Sequence, residues 1–337
     1  MPALILSLAT ILVWSTGTLF SAGVSHLPPF LSAGVTLCIG GLVGLARVRE
    51  WKVPPATFAL GVGGIFGYHA LFFTALRHAP AVEVNVLQYL WPLLIVVLAP
   101  LCARGGRLRW HHLLGACLGL AGGVLVLSGG RLSLERAYLP GYLLALGAAF
   151  VWAGYSLLNQ RVRPFPTGAV GGFCLASGLL SLGLHALERL ARPAPAITPG
   201  DWLFLALLGL GPMGLAFYTW DAAMKRGDPR RIGSLAYLTP LLSTLWLVLF
   251  GGRHLTALSG CAMGLIVAGA VVGAMVPFGD WARRTRKDAG PSLGDCLRRT
   301  ASIRAACGGG MGFSARGGAR RWHPGAGAVP DPGAREP

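Results

Sequence analysis

The residues of this chain that could do chemistry recur at helical spacing inside long apolar runs. Asn85, Gln88, Tyr89 and Pro92 stand at i, i+3, i+4 and i+7, a spacing that gathers side chains on one helix face. Trp152, Tyr155, Ser156 and Asn159 repeat it, and Ser7, Trp14, Thr18, Ser21 and Gly233, Tyr237, Pro240, Thr244 form two more stripes. Tyr68, His69 and Phe72 add a fifth set, and Phe217, Tyr218, Trp220 and Asp221 a sixth. Trp and Tyr offer an apolar face with one hydrogen-bonding group, a wall that suits a flat or apolar ligand and on which a cation can also rest. Polar side chains inside an apolar run must face protein or water, so such stripes serve either as glue between helices or as the lining of a shared pocket.

Three ionisable groups lie in or near these runs: Glu83, His69 and Asp221. Each is a candidate for a coupling proton or for holding an ammonium or carboxylate group. Each has a plainer reading: Glu83 solvated at an interface, His69 a hydrogen-bonded core residue, Asp221 a helix-surface ion pair with Lys225 at i+4. No nucleophile elbow, Walker loop, HExxH or paired-carboxylate motif is present, so no catalytic residue is named and an enzyme is not expected. The seven cysteines carry no CxxC and no metal-ligand spacing, and neither disulfides, a metal nor a cofactor is expected.

The elements that must position these groups follow from composition. The chain is 54% hydrophobic and only 12% charged, with a mean hydropathy of +0.61, whereas soluble domains carry about 25% charged residues. Ten segments reach the roughly 20 apolar residues that cross a bilayer as a helix: 3–24, 29–46, 56–76, 81–102, 111–128, 140–159, 166–187, 201–224, 232–250 and 257–277. Gly-rich stretches such as Gly115–Gly123 and Gly260–Gly264 read as close helix contacts. Trp51, Trp110, Trp202 and Trp281 stand at span ends, as in an interfacial belt; Trp91 and Trp152 lie too deep for that. No Lys or Arg precedes the run from Ala3, so it is expected to be the first span rather than a cleaved signal.

An internal repeat organises the spans. Val13-Trp14-Ser15 returns as Val151-Trp152-Ala153, and the twenty residues from Ala75 return from Ala223 with seven identities, among them Leu87/Leu235, Tyr89/Tyr237 and Pro92/Pro240. Five spans per half is an odd number, so the halves enter the membrane in opposite orientations, the plan of many secondary transporters. The expected architecture is therefore all-α and integral to the membrane, with ten transmembrane helices as two inverted five-helix repeats, residues 1–137 and 138–277. Residues 278–337 form a basic tail that is expected to be disordered. With the N-terminus cytoplasmic, the inner loops hold 12 Lys and Arg and the outer loops 6, and the tail, with 11 more, is inside as well. A pI near 10.6 arises from these loops and the tail, and binding of nucleic acid is not expected.

Ten spans in two inverted halves, with Val13-Trp14-Ser15, Tyr89-Leu90-Trp91-Pro92 and Tyr237-Leu238-Thr239-Pro240, resemble the drug/metabolite transporter superfamily of EamA type. Glu83 to Pro92, Trp152-Ala153-Gly154-Tyr155 and Phe217-Tyr218-Thr219-Trp220-Asp221 look most like its branch of aromatic amino-acid exporters. The resemblance covers residues 3–277. It implies an inner-membrane exporter working by alternating access around a cavity lined by spans 1, 3, 4, 6, 8 and 9. The matching substrate positions would be Trp14, Tyr68, Gln88, Tyr89, Trp91, Trp152, Tyr155, Trp220 and Tyr237. His69 stands where that branch has an acidic residue, and Gln88 and Asp221 where it has Asn, changes that bear on substrate choice.

The leading expectation is a secondary transporter exporting small metabolites, aromatic or other apolar amino acids, as a monomer or weak homodimer in contact with lipid. The alternatives are a multidrug or quaternary-cation exporter of the same fold, in which Glu83 would matter, and a non-transporting receptor or scaffold using the tail. A lipid-modifying membrane enzyme would need a His/Asp/Glu cluster at one interface, and the sequence has none.

Overall fold

The computed structural model describes residues 2–102, 108–190, 196–250 and 256–274; the expected tail, Trp281, Cys296 and Cys307 lie outside the described residues. Among the described residues, ten helices are long and apolar enough to cross a membrane: α1 (Pro2–Gly23), α2 (Pro29–Trp51), α3 (Pro55–His78), α4 (Ala81–Leu101), α5 (Trp110–Ser128), α6 (Arg136–Leu158), α7 (Ala169–Arg189), α8 (Pro199–Arg226), α9 (Pro229–Phe250) and α10 (Ala257–Ala274). The chain is thus a multi-pass membrane protein. Helix satisfies every backbone group internally, which lipid requires. Proline opens α2, α3, α8 and α9 at the first turn, where its missing N–H costs nothing. Large apolar side chains such as Leu143, Phe150, Leu179 and Leu203 stand exposed on the outside, the surface that lipid would cover.

Helix pairing follows the repeat. α3 packs on α6 as α8 packs on α1, and α4 packs on α6 as α9 packs on α1. The repeat mates α2 and α7, α4 and α9, and α5 and α10 pack against one another. The α5–α10 contact is backbone to backbone. A Cβ on Gly269 would lie 2.5 Å from the Gly119 nitrogen, and one on Gly122 would lie 2.6 Å from the Ala262 carbonyl oxygen. This corrects the expected glycine contact in α10. Gly260 and Gly264 are exposed, and among the described residues nothing lies within 4 Å of a Cβ at either; Gly269 and Gly273 face α5 instead, because the helix turns the earlier pair outward.

Several of the described spans depart from regular α-helix. α2 ends in a 3₁₀ stretch, Gly44–Trp51, and α8 carries a π turn, Gly211–Leu215. α4 breaks at Tyr89–Leu90 and α9 at Tyr237, each one turn before the proline that the repeat shares, Pro92 or Pro240. Proline removes a ladder bond and pushes its ring at the preceding turn, so both breaks fall where the prolines place them.

Candidate functional site

The breaks in α4 and α8 border a cavity of about 460 Å³. Its walls come from α1 (Trp14, Gly17, Thr18, Ser21), α3 (Tyr68, His69, Phe72, Phe73) and α4 (Asn85, Gln88, Tyr89, Trp91), with Trp152 of α6, Leu208, Pro212, Met213 and Phe217 of α8, and Thr239 and Ser243 of α9. These are the six spans that the resemblance implied. The exposed Ser21 stands at the mouth, toward the end of the bundle that carries the C-termini of α1 and α3.

Tryptophans make the floor. The Trp14 ring lies at the centre, 6.0 Å from Trp91, 5.9 Å from Trp152, 5.1 Å from Trp220 and 6.3 Å from Phe217, centroid to centroid. Most of these pairs meet edge to face, the arrangement aromatic quadrupoles favour. Tyr68 leans on Trp152 at 5.4 Å and stacks on Phe72 at 5.9 Å. Trp14 is held by its indole N–H, which donates to the Pro212 carbonyl at 3.1 Å. That carbonyl lies in the π turn of α8; such turns are frequent at functional sites.

The polar groups on the wall are neutral amides, hydroxyls and one imidazole. Gln88 is buried, and among the described residues its Oε1 finds no hydrogen-bond partner. The Asn85 amide N–H donates to Ala81 O at 2.7 Å, leaving its carbonyl oxygen free of that bond. His69 is buried with Nδ1 2.7 Å from the Ile65 carbonyl oxygen. A carbonyl only accepts, so Nδ1 carries the proton and, in the neutral ring, Nε2 is left as an acceptor. Among the described residues on the wall there is no Asp, Glu, Lys or Arg.

Of the residues expected to bind substrate, Trp14, Tyr68, His69, Gln88, Tyr89, Trp91 and Trp152 meet at the cavity, and Tyr155, Trp220 and Tyr237 lie off its wall. Trp220 backs the floor, and its indole N–H donates to Ser156 Oγ at 3.0 Å. Tyr155 packs against α3 where Gly64 leaves room for its ring. Tyr237 is fully buried between α4 and α5. Glu83 is also buried but lines no part of the cavity.

Asp221 sits beyond the floor, at the closed end. The surface ion pair expected with Lys225 is instead a buried one. Asp221 is 1% exposed, and its Oδ2 accepts from Lys225 Nζ at 2.6 Å and from Thr167 Oγ1 at 2.8 Å. Lys225 Nζ also donates to Phe165 O at 3.0 Å and lies 3.4 Å from the centroid of the Phe165 ring. The pair thereby ties the end of α8 to the connection before α7. The repeat mate of Lys225 is Arg77, at the opposite end of the bundle. Arg77 pairs with Glu188 at 2.7 Å and lies 5.4 Å from the centroid of the Phe30 ring at the start of α2, a looser and more exposed version of the same tie.

Gly17, Phe73, Leu208, Pro212, Met213 and Ser243 line the cavity without having been singled out in the sequence. Gly211-Pro212 in the middle of a span was the available signal, since that dipeptide interrupts a helix.

Comparison with known proteins agrees with this architecture. Residues 1–128 and 139–274 match the EamA-like transporter family. The chain is 41% identical over 285 residues to the aromatic amino acid exporter YddG of Ancylobacter novellus, covering 81% of this chain and 97% of that protein. It is 29% identical over 266 residues to the aromatic amino acid exporter YddG of Salmonella typhimurium, covering 72% of this chain and 86% of that one. A crystal structure 41% identical in sequence superposes with a TM-score of 0.75 over 80% of this chain and 96% of its own.

Proposed function

The chain belongs to the EamA-like transporter family, and from that premise we propose that it exports aromatic and other apolar amino acids across the inner membrane. The observation that carries this reading is the cavity itself. At about 460 Å³ it falls in the range of roughly 300–1,000 Å³ that takes small ligands. Its wall is aromatic, and its polar groups are uncharged. A quaternary cation could rest on the aromatic wall, but no carboxylate among the described residues on that wall offsets its charge, and Glu83 lies elsewhere. A zwitterion carries no net charge, so neutral groups can serve both its ends. Gln88 Oε1 and His69 Nε2 accept from the ammonium, the Gln88 amide N–H and the tyrosine hydroxyls donate to the carboxylate, and the aromatic wall takes the side chain.

Transport follows from the repeat. The loop charges support a cytoplasmic N-terminus; with that orientation the cavity opens outward and the Trp floor with the Asp221–Lys225 tie closes the cytoplasmic side. Rocking of the halves would loosen that tie and tighten the one at Arg77, presenting the same cavity inward. The Trp floor must part in that motion, and it can, because its edge-to-face contacts are individually weak.

Ligand binding to the folded state raises the unfolding midpoint in proportion to the logarithm of ligand concentration. Tryptophan and phenylalanine should raise the midpoint of the purified protein, and an aromatic quaternary ammonium compound should not. A midpoint raised by the cation alone would overturn the reading in favour of a cation exporter.

A further inference from the structure

The break in α4 is spliced by a side chain from the other repeat. In an unbroken helix the Leu93 N–H would donate to the Tyr89 carbonyl. Here the Tyr237 hydroxyl stands between them: Leu93 N–H donates to it at 3.1 Å, and it reaches toward the Tyr89 carbonyl oxygen at 3.4 Å. A polar group inserted in this way opens a helix turn. Pro92 supplies no N–H of its own, so this turn has lost one ladder bond to proline and has a second rerouted through the phenol. Tyr237 is 0% exposed. Its ring lies over Gly119, where a Cβ would come within 2.6 Å of it, and packs with Val96, Ala116 and Ile266. The hydroxyl therefore has little freedom to be anywhere else.

The opened turn is the one that carries Gln88, Tyr89 and Trp91 to the cavity wall. We propose that the Tyr237 hydroxyl is a positioning residue for substrate: by completing the opened turn of α4 from α9, it sets the direction of Gln88, Tyr89 and Trp91. Its repeat mate Tyr89 lines the cavity, so the two equivalent tyrosines have divided binding and positioning between them. The proposal rests on the transport reading above for its consequence, but its geometry is testable without transport.

The test is Tyr237→Phe in the full chain, which keeps the ring and removes the hydroxyl. Without it, Leu93 N–H and the Tyr89 carbonyl can pair directly, closing the turn and rotating Gln88 and Tyr89. With tryptophan release from liposomes as the assay, KM should rise about three- to tenfold, the effect of one hydrogen bond on affinity, while the maximal rate stays within about twofold of the parent. The second readout needs no substrate. Gln88→Cys, with the other cysteines replaced by serine, is labelled from the cavity by a small thiol reagent. Changing Tyr237 to Phe in that background should shift the labelling rate at least threefold. An unchanged labelling rate overturns the proposal whatever the flux does, as does a fall in maximal rate with KM unchanged. A shifted labelling rate in a protein that moves no aromatic amino acid would remove the transport reading and leave the positioning role of Tyr237 standing.

Discussion

Replacing Lys225 by Met tests how the closed end is held. The Asp221 carboxylate would keep the Thr167 hydroxyl but lose its charged partner while fully buried. Removing one member of a buried pair costs about 3–5 kcal/mol, and the 20% exposure of the Lys225 side chain lets solvent screen part of that, which leaves about 2–3 kcal/mol. Asp221→Asn together with Lys225→Met leaves no orphaned charge, so the double variant should recover much of that loss. A double-mutant cycle from reversible unfolding in mixed detergent micelles should therefore show a coupling of about 2 kcal/mol. The pair exists in the conformation closed at this end, so the same 2 kcal/mol would shift the balance toward the open form by about 30-fold. Ser156→Cys reads that shift. Ser156 is fully buried one turn beyond Trp152, and its thiol should label much faster when Lys225 is Met. A coupling below about 0.5 kcal/mol, the value of an exposed pair, together with unchanged labelling, would refute the reasoning.

Three further outcomes follow from packing and electrostatics. Gly119→Leu, whose side chain would meet the Tyr237 ring on the α5 face against α10, should lower the unfolding free energy by about 1–3 kcal/mol; Gly264→Leu, which meets nothing, should leave it within about 0.5 kcal/mol. Asp228→Ala removes the cap of α9, where the carboxylate accepts the Arg230 backbone N–H at 3.0 Å, and should cost about 1 kcal/mol in the same unfolding measurement. Burial would by itself raise the Asp228 carboxyl, but its bonds to Arg230 outweigh that and hold it below the ordinary carboxylate value. A depressed acid stabilises the fold above its unfolded value and loses that contribution as pH falls through the folded one. The penalty of Asp228→Ala should therefore persist at pH 7 and shrink below about pH 4; a penalty constant down to pH 3 would contradict it.

The ten spans and their inverted pairing were legible in the sequence because lipid demands long apolar helices and because the repeat carries Trp14, Tyr89 and Pro92 into the second half. Much of the cavity was legible for the same reason: helical spacing shows which residues share a face. It does not show which neighbour that face meets. Tyr237 shares a stripe with Pro240 as Tyr89 does with Pro92, yet the fold turns one into a helix break and the other into the cavity. Trp220 and Tyr155 failed to reach the wall for a related reason, since Trp14 and Trp152 fill the space in front of them. Asp221 and Lys225 at i+4 look the same on a surface and in an interior, and only the loop through Thr167 and Phe165 buries them. Gly260 and Gly264 have the spacing of a contact motif, but a second pair one face round the helix makes the contact.

A neutral aromatic cavity of this kind should move amino-acid zwitterions. That is tested most directly by loading liposomes that contain the purified protein with tryptophan, phenylalanine or an aromatic quaternary ammonium compound and following release with and without a pH gradient. Both amino acids should be released saturably, that release should be lost when Trp91 is changed to Ala, and the cation should not be released. Saturable release of the cation, with tryptophan and phenylalanine retained, would contradict this.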